Sequence, residues 1–130
     1  MQRHAIIVAG GSGTRMGSSM PKQFLDLRGK PVIIHTLETF LKAYPDLDII
    51  LVFPEAFLEE GRAMVATFMP GVRFRVTTGG STRFHSVQNG LRLVSEPSVI
   101  FVHDAVRCLV TADLIRTCHD EAVLKGSAIQ

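Results

Sequence analysis

At 130 residues, 46% hydrophobic and 20% charged, the chain has the size and composition of one globular domain that buries its core without disulfide staples. The formal charge is +2 and the Lys and Arg residues are scattered, which excludes the cationic block that tracks a nucleic-acid backbone; any bound anion is expected to be small. No apolar run approaches a membrane span, the apolar part of "MQRHAIIVAGG" is shorter than a secretory signal core, and Cys108 and Cys118 form neither a CxxC pair nor a zinc-spaced cluster, so a cytoplasmic protein with reduced thiols is expected.

His4 to Ala9 ("HAIIVA") is a short continuous apolar run, the pattern of a strand buried on both faces, and a glycine-rich loop follows it. Pro31 serves as a first-turn proline for a helix in which Val32, Ile33, Leu37, Phe40 and Leu41 recur at helical spacing until "AYPD". Asp48 to Phe53 ("DIILVF") reads as a second buried strand, closed by Pro54, and Glu55 to Phe68 as a helix ended by Pro70 and Gly71. Val72 to Thr77 is a third strand whose "VRFRV" alternation places it at an edge or leaves one side exposed. Thr82 to Leu93 is a helix opened by "GGST", Val99 to Val102 a fourth strand, and Thr111 to Leu124 a helix with Thr111 as its N-cap. Strict alternation of strand and helix predicts an α/β protein, a parallel sheet covered by helices on both faces, with ligands held outside the carboxyl ends of the strands.

Three loops follow strands in this scheme, and each carries a polar cluster. In "VAGGSGTRMGSSMPKQ" the glycines Gly11, Gly13 and Gly17 miss the G-x-G-x-x-G dinucleotide spacing, and the lysine of "PKQ" comes too late for a Walker loop. The physical content that remains is glycine backbone able to approach a ligand, consecutive N–H groups able to face phosphate oxygens, and the charges of Arg15 and Lys22. A solvated turn with two surface cations is the plain alternative. In "TTGGSTRFHSVQNGL" Gly79 and Gly80 permit close approach of a planar base, and Ser81, Arg83 and Ser86 stand at a helix N-terminus, although a glycine turn with a capping hydroxyl is also the ordinary way to begin a helix. His85 reads as a surface or packing residue. In "VIFVHDAVRCL" a carboxylate just beyond a buried strand, with an arginine three residues on, suits a divalent metal and a triphosphate, Asp104 taking Mg2+ and Arg107 balancing charge. The alternative is a local Asp–Arg pair that organises the loop. His103 becomes a hydrogen-bonded core residue if the strand continues to it.

Taken together, "AGGSGTRMGSSMPKQ", "GGSTRFHSVQNGL" and "VHDAVR" resemble the three signature segments of the 2-C-methyl-D-erythritol 4-phosphate cytidylyltransferases and the closely related ribitol-5-phosphate cytidylyltransferases. The resemblance runs from the first strand to Gln130. It implies a Rossmann-like, glycosyltransferase-A-like nucleotidyltransferase fold in three α/β/α layers, with residues 1–130 as the nucleotide-binding part of the domain. It also implies transfer of CMP from CTP to a polyol phosphate, with Mg2+ or another divalent cation and release of pyrophosphate, as a step of isoprenoid precursor synthesis when the acceptor is methylerythritol phosphate. Carried over by position, Ala9, Gly10, Gly11 and Gly13 lie along ribose and phosphates. Arg15 and Lys22 stabilise charge on the α-phosphate, and no protein nucleophile is required. Gly80, Ser81 and Ser86 read the cytosine edge, Arg83 supports their loop, Asp104 is the metal carboxylate, and Ala105 and Arg107 neighbour the ribose and phosphates.

Two departures from the family pattern carry expectations of their own. Cys108 stands where the family usually has proline, which removes a backbone restraint from the loop of Asp104. The chain stops at "GSAIQ", where the family continues into a further strand, a dimerisation arm and a closing segment, so the homodimer contact and most of the acceptor site are expected outside these residues. Weak CTP binding and poor turnover by the chain alone follow. A nucleotide-binding or interaction module that does no chemistry is the alternative from another class, and ribitol 5-phosphate is the alternative acceptor.

Overall fold

The computed structural model describes residues 2–9, 26–107 and 109–126. Strands β1 (Gln2–Val8), β4 (Asp48–Phe53), β5 (Phe74–Thr78) and β6 (Ser98–Asp104) form one sheet in the order β5-β4-β1-β6. Every pair in it is parallel. The two continuous apolar runs supply the interior strands β1 and β4, because a strand with helices on both sides has no solvent face and needs no polar alternation. "FRVTT" is half-buried and lies at the edge, where its alternation placed it.

The period of two along β1 and β4 divides the core. Ala5, Ile7, Ile49, Leu51 and Phe53 face one side, with Ile33, Leu37 and Phe40 of α1 (Val32–Ala43), Val65 of α2 (Leu58–Phe68) and Ile115 of α4 (Ala112–Lys125). Ile6, Val8, Ile50 and Val52 face the other, against Val87 of α3 (Arg83–Leu91) and the Leu93 and Val94 that follow it. The molecule is therefore a three-layer α/β/α sandwich. Gly90 sets the depth of α3 on that second face: a Cβ there would stand 2.8 Å from Cγ2 of Ile6 and 3.4 Å from Cγ2 of Val52.

Several boundaries differ from the sequence reading. Glu55–Phe57 is a separate 3-10 turn, and α2 begins only at Leu58, because Phe57 at φ −119° leaves the helical region. The third strand starts at Phe74 rather than Val72, and α3 spans Arg83–Leu91 behind an N-cap at Thr82. The last strand is longer than "VIFV" and carries His103 and Asp104 within it, since β1 pairs with it through Val8↔Asp104. A hairpin of two short strands, β2 (Asp26–Leu27) and β3 (Lys30–Pro31), precedes α1. It is tied to that helix by the Lys30–Glu38 ion pair at 2.9 Å.

Thr111 caps α4 as expected, its Oγ1 accepting the Leu114 N–H at 3.1 Å. Thr111→Ala should lower stability by about 1 kcal/mol, read as a shift of the urea midpoint with unchanged slope.

Candidate functional site

The carboxyl ends of the strands meet along one edge of the sheet, and the backbone ladder continues one step past them. Ala9 N–H donates to Val52 O at 2.8 Å, Gly79 N–H to Phe53 O at 2.7 Å, and Ala105 N–H to Val8 O at 2.9 Å. The first residue of each of the three motif loops is thus held by a neighbouring strand. That shared anchoring brings segments nearly a hundred residues apart in sequence to one rim. Gly10, Gly11, Gly13, Arg15 and Lys22 lie outside the described residues, as does Cys108; the segment that carries the first five runs between the anchored Ala9 and the hairpin pinned to α1.

At the start of α3, Thr82 Oγ1 accepts the His85 N–H at 3.2 Å and so satisfies one of the donors that every helix N-terminus leaves open. Ser86 is buried, and its Oγ accepts the Gly80 N–H at 3.1 Å. Two of the residues assigned to base reading are therefore locked to each other, with the Ser86 hydroxyl proton left to donate. A Cβ on Gly80 would overlap the Cβ of His85, so glycine is required there by the helix's own first turn, before any ligand is considered. His85 is exposed, its Nδ1 lying 3.2 Å from Ser81 Oγ and 3.0 Å from Thr82 Oγ1, the role in local structure that the sequence suggested. Asn89, one turn on, donates from Nδ2 to Thr78 O at 2.9 Å and fixes the end of β5.

The third loop is joined to the second by charge. Arg83 Nε donates to Asp104 Oδ1 at 3.1 Å, and Arg107 Nε stands 3.4 Å from Asp104 Oδ2. Arg83 thus reaches across to β6 in addition to opening α3, while the Asp104–Arg107 pair is the local loop contact anticipated from their spacing. The Asp104 side chain keeps 28% exposure, and the arginines keep 57% and 75%. One carboxylate between two guanidiniums leaves a net charge of +1, which suits an anionic ligand at the rim. Ala105 is fully buried with both backbone groups engaged, its carbonyl accepting from Thr36 Oγ1 at 2.7 Å. His103 is nearly buried, lies edge-on to Phe40 at 5.3 Å, and donates from Nε2 to Arg107 O at 2.8 Å; the strand does continue to it, and it is a hydrogen-bonded core residue. Thr36 and Asn89 were invisible to sequence reasoning because their partners lie 69 and 11 residues away and are backbone carbonyls.

A groove of about 920 Å³ begins at Arg83, Asp104 and Arg107 and runs between β6 and α4, past Leu114 and Cys118. No cluster of three or more His, Cys, Asp or Glu that could cage a metal occurs among the described residues. Asp104 is partly exposed, and although its two oxygens face Arg83 and Arg107 here, one carboxylate turned to the cation fits magnesium, which keeps several waters and is held by one or two carboxylates together with substrate phosphates.

The family model for 2-C-methyl-D-erythritol 4-phosphate cytidylyltransferase matches residues 3–130. The chain belongs to this family. Among curated members, the Bacteroides thetaiotaomicron enzyme is 49% identical over 122 residues, covering 94% of this chain and 56% of that protein. The Porphyromonas gingivalis enzyme is 46% identical over 127 residues, covering 97% and 56%. The crystal structure of 4-diphosphocytidyl-2C-methyl-D-erythritol synthase from Anaerococcus prevotii superposes with a TM-score of 0.76 at 26% identity, over 95% of this chain and 51% of that one. The chain spans a little more than half the length of the curated relatives it matches. Cytidylyltransferases of this family are nucleotidyltransferases of isoprenoid synthesis, and the mostly parallel sheet with flanking helices is the fold of their solved structures. None of the described helices is long and apolar enough to cross a membrane.

Proposed function

We propose that residues 1–130 form the nucleotide-binding part of a cytidylyltransferase domain. In this reading CMP passes from CTP to the phosphate of 2-C-methyl-D-erythritol 4-phosphate in the cytoplasm, and pyrophosphate is released. The observation that carries the reading is the bridge from Arg83 at the head of α3 to Asp104 at the end of β6, beside the locked Gly80–Ser86 pair. It joins the loop of the candidate base readers to a candidate metal carboxylate, on the rim where Ala9 is also anchored.

In the proposed reaction an oxygen of the acceptor's phosphate attacks the α-phosphorus of CTP. The bond between that phosphorus and the bridging oxygen breaks, and the electron pair leaves with pyrophosphate. The protein's contribution is position and charge. Arg15 and Lys22 face the charge that develops on the α-phosphate, and the backbone of Ala9, Gly10, Gly11 and Gly13 lies along ribose and phosphates. Gly80, Ser81 and Ser86 read the cytosine edge; the Ser86 oxygen accepts the Gly80 N–H, which leaves its hydroxyl proton free to donate to the base. Asp104 would hold Mg2+, which when bound neutralises triphosphate charge. Arg83 and Arg107, exposed on either side of that carboxylate, balance the remaining negative charge, and Ala105 holds the loop between them.

Titration calorimetry with CTP, UTP, GTP and ATP, with and without Mg2+, tests the reading. Magnesium-dependent preference for CTP is expected. Absence of nucleotide binding would overturn it in favour of a non-catalytic interaction module. Pyrophosphate release measured with methylerythritol phosphate against ribitol 5-phosphate then separates the acceptors.

A further inference from the structure

Resting on that reading, we infer that Thr36 is a positioning residue for Asp104, acting through the carbonyl of Ala105. Thr36 is fully buried in α1, far from the rim residues in sequence, and its hydroxyl crosses to Ala105 O at 2.7 Å. A helical threonine ordinarily turns its hydroxyl back onto the carbonyl four residues earlier. Thr39 and Thr67 do this here, donating to His35 O at 3.0 Å and to Ala63 O at 2.8 Å. Thr36 instead donates away from its own helix into the loop that follows β6.

That loop is held at each step. The Asp104 carbonyl accepts the Arg107 N–H at 3.1 Å, the Ala105 N–H donates to Val8 O, and His103 Nε2 donates to Arg107 O. Within this set the Thr36 bond is the one that fixes the Ala105–Val106 peptide, the second after Asp104, against α1. Release of that peptide would loosen the turn from Asp104 to Arg107, and with it the setting of the Asp104 carboxylate against the two arginines and a metal beside it. Partners bonded directly to a metal ligand are worth about 10–100-fold in metal affinity, and a group acting through the neighbouring backbone should fall at the low end of that range.

The test compares Thr36→Val, which replaces the hydroxyl by a methyl at nearly constant volume, with Thr36→Ser, which keeps the hydroxyl. CTP is titrated at a series of Mg2+ concentrations, and amide hydrogen exchange is followed at Ala105 and Arg107. In Thr36→Val the half-saturating Mg2+ concentration should rise about 10-fold, the metal-independent part of CTP binding should stay at the wild-type level, and exchange at the two amides should quicken. Thr36→Ser should restore both readouts. Equal impairment of the two variants would mean that Thr36 acts by packing, and unchanged exchange and metal dependence in Thr36→Val would mean it positions nothing; either result overturns the inference. If Thr36→Val does not fold, Thr36→Ser against Thr36→Ala provides the same comparison of hydroxyl present and absent. Wild-type chain that binds no CTP refutes the proposed function instead, and the exchange comparison still decides the role of Thr36.

Discussion

Asp104→Asn is expected to abolish the magnesium dependence of CTP binding and to weaken binding in saturating Mg2+ by at least about 100-fold. That is the upper end of what the loss of a mere supporting residue costs a metal site, and a direct ligand should cost no less. The substitution is nearly isosteric and removes one negative charge, so Arg83 and Arg107 lose their shared partner. Both arginines are more than half exposed, and surface ion pairs contribute about 0–1 kcal/mol, so the urea midpoint should hardly move. Calorimetry of the two proteins at matched Mg2+ checks the binding, and an unfolding curve of each checks the fold. Near-wild-type magnesium dependence in a folded Asp104→Asn protein would remove Asp104 from the metal site and leave it as an organiser of its loop.

The largest loss of stability should come from Phe53→Ala, at about 3–5 kcal/mol. Phe53 ends β4 with no exposed surface, in the cluster that includes Ile49, Leu51 and Val65 of α2. Domains of this kind hold roughly 5–15 kcal/mol in total, so the variant should be marginal at room temperature and unfolded at modest urea. The damage should reach the rim as well, because the carbonyl of the same residue anchors Gly79 at the head of the second loop. Urea unfolding followed by far-ultraviolet circular dichroism measures the loss. A shift below about 1 kcal/mol, the scale of a surface substitution, would mean that this end of the core collapses around the missing ring.

What the sequence made legible follows from which forces are local. "HAIIVA" and "DIILVF" announced interior strands because burial on two faces removes polar residues altogether, and "VRFRV" announced a strand at an edge or with one side exposed, of which the edge position is what the sheet shows. The hairpin at Asp26–Pro31 was missed: its strands have two residues each, and its turn carries Arg28 at φ +54°, a conformation its residue type does not advertise. The break at Phe57 was also missed, since Glu55 to Phe68 has continuous helical composition and the turn is decided by how Pro54 leaves β4. At the site, spacing made the Asp104–Arg107 pair readable, because they stand three positions apart. The Arg83–Asp104 bridge spans 21 residues and the Thr36–Ala105 bond 69, and nothing in either segment marks the other as its partner until the sheet has brought them together.

The shallow seat of Gly90 reaches further than the packing it permits. With Cγ2 of Ile6 standing where a side chain would begin, α3 rests on the sheet near its carboxyl end as a beam rests on a fulcrum. Its other end, roughly 10 Å away at 1.5 Å per residue, carries Arg83. A single methyl group at the fulcrum would have to displace the Ile6 side chain or lift the beam, and any lift would be felt at the far end as lost registry between Arg83 and Asp104. The alignment of the two loops is thus calibrated by one hydrogen atom in the core, at a position no ligand would touch.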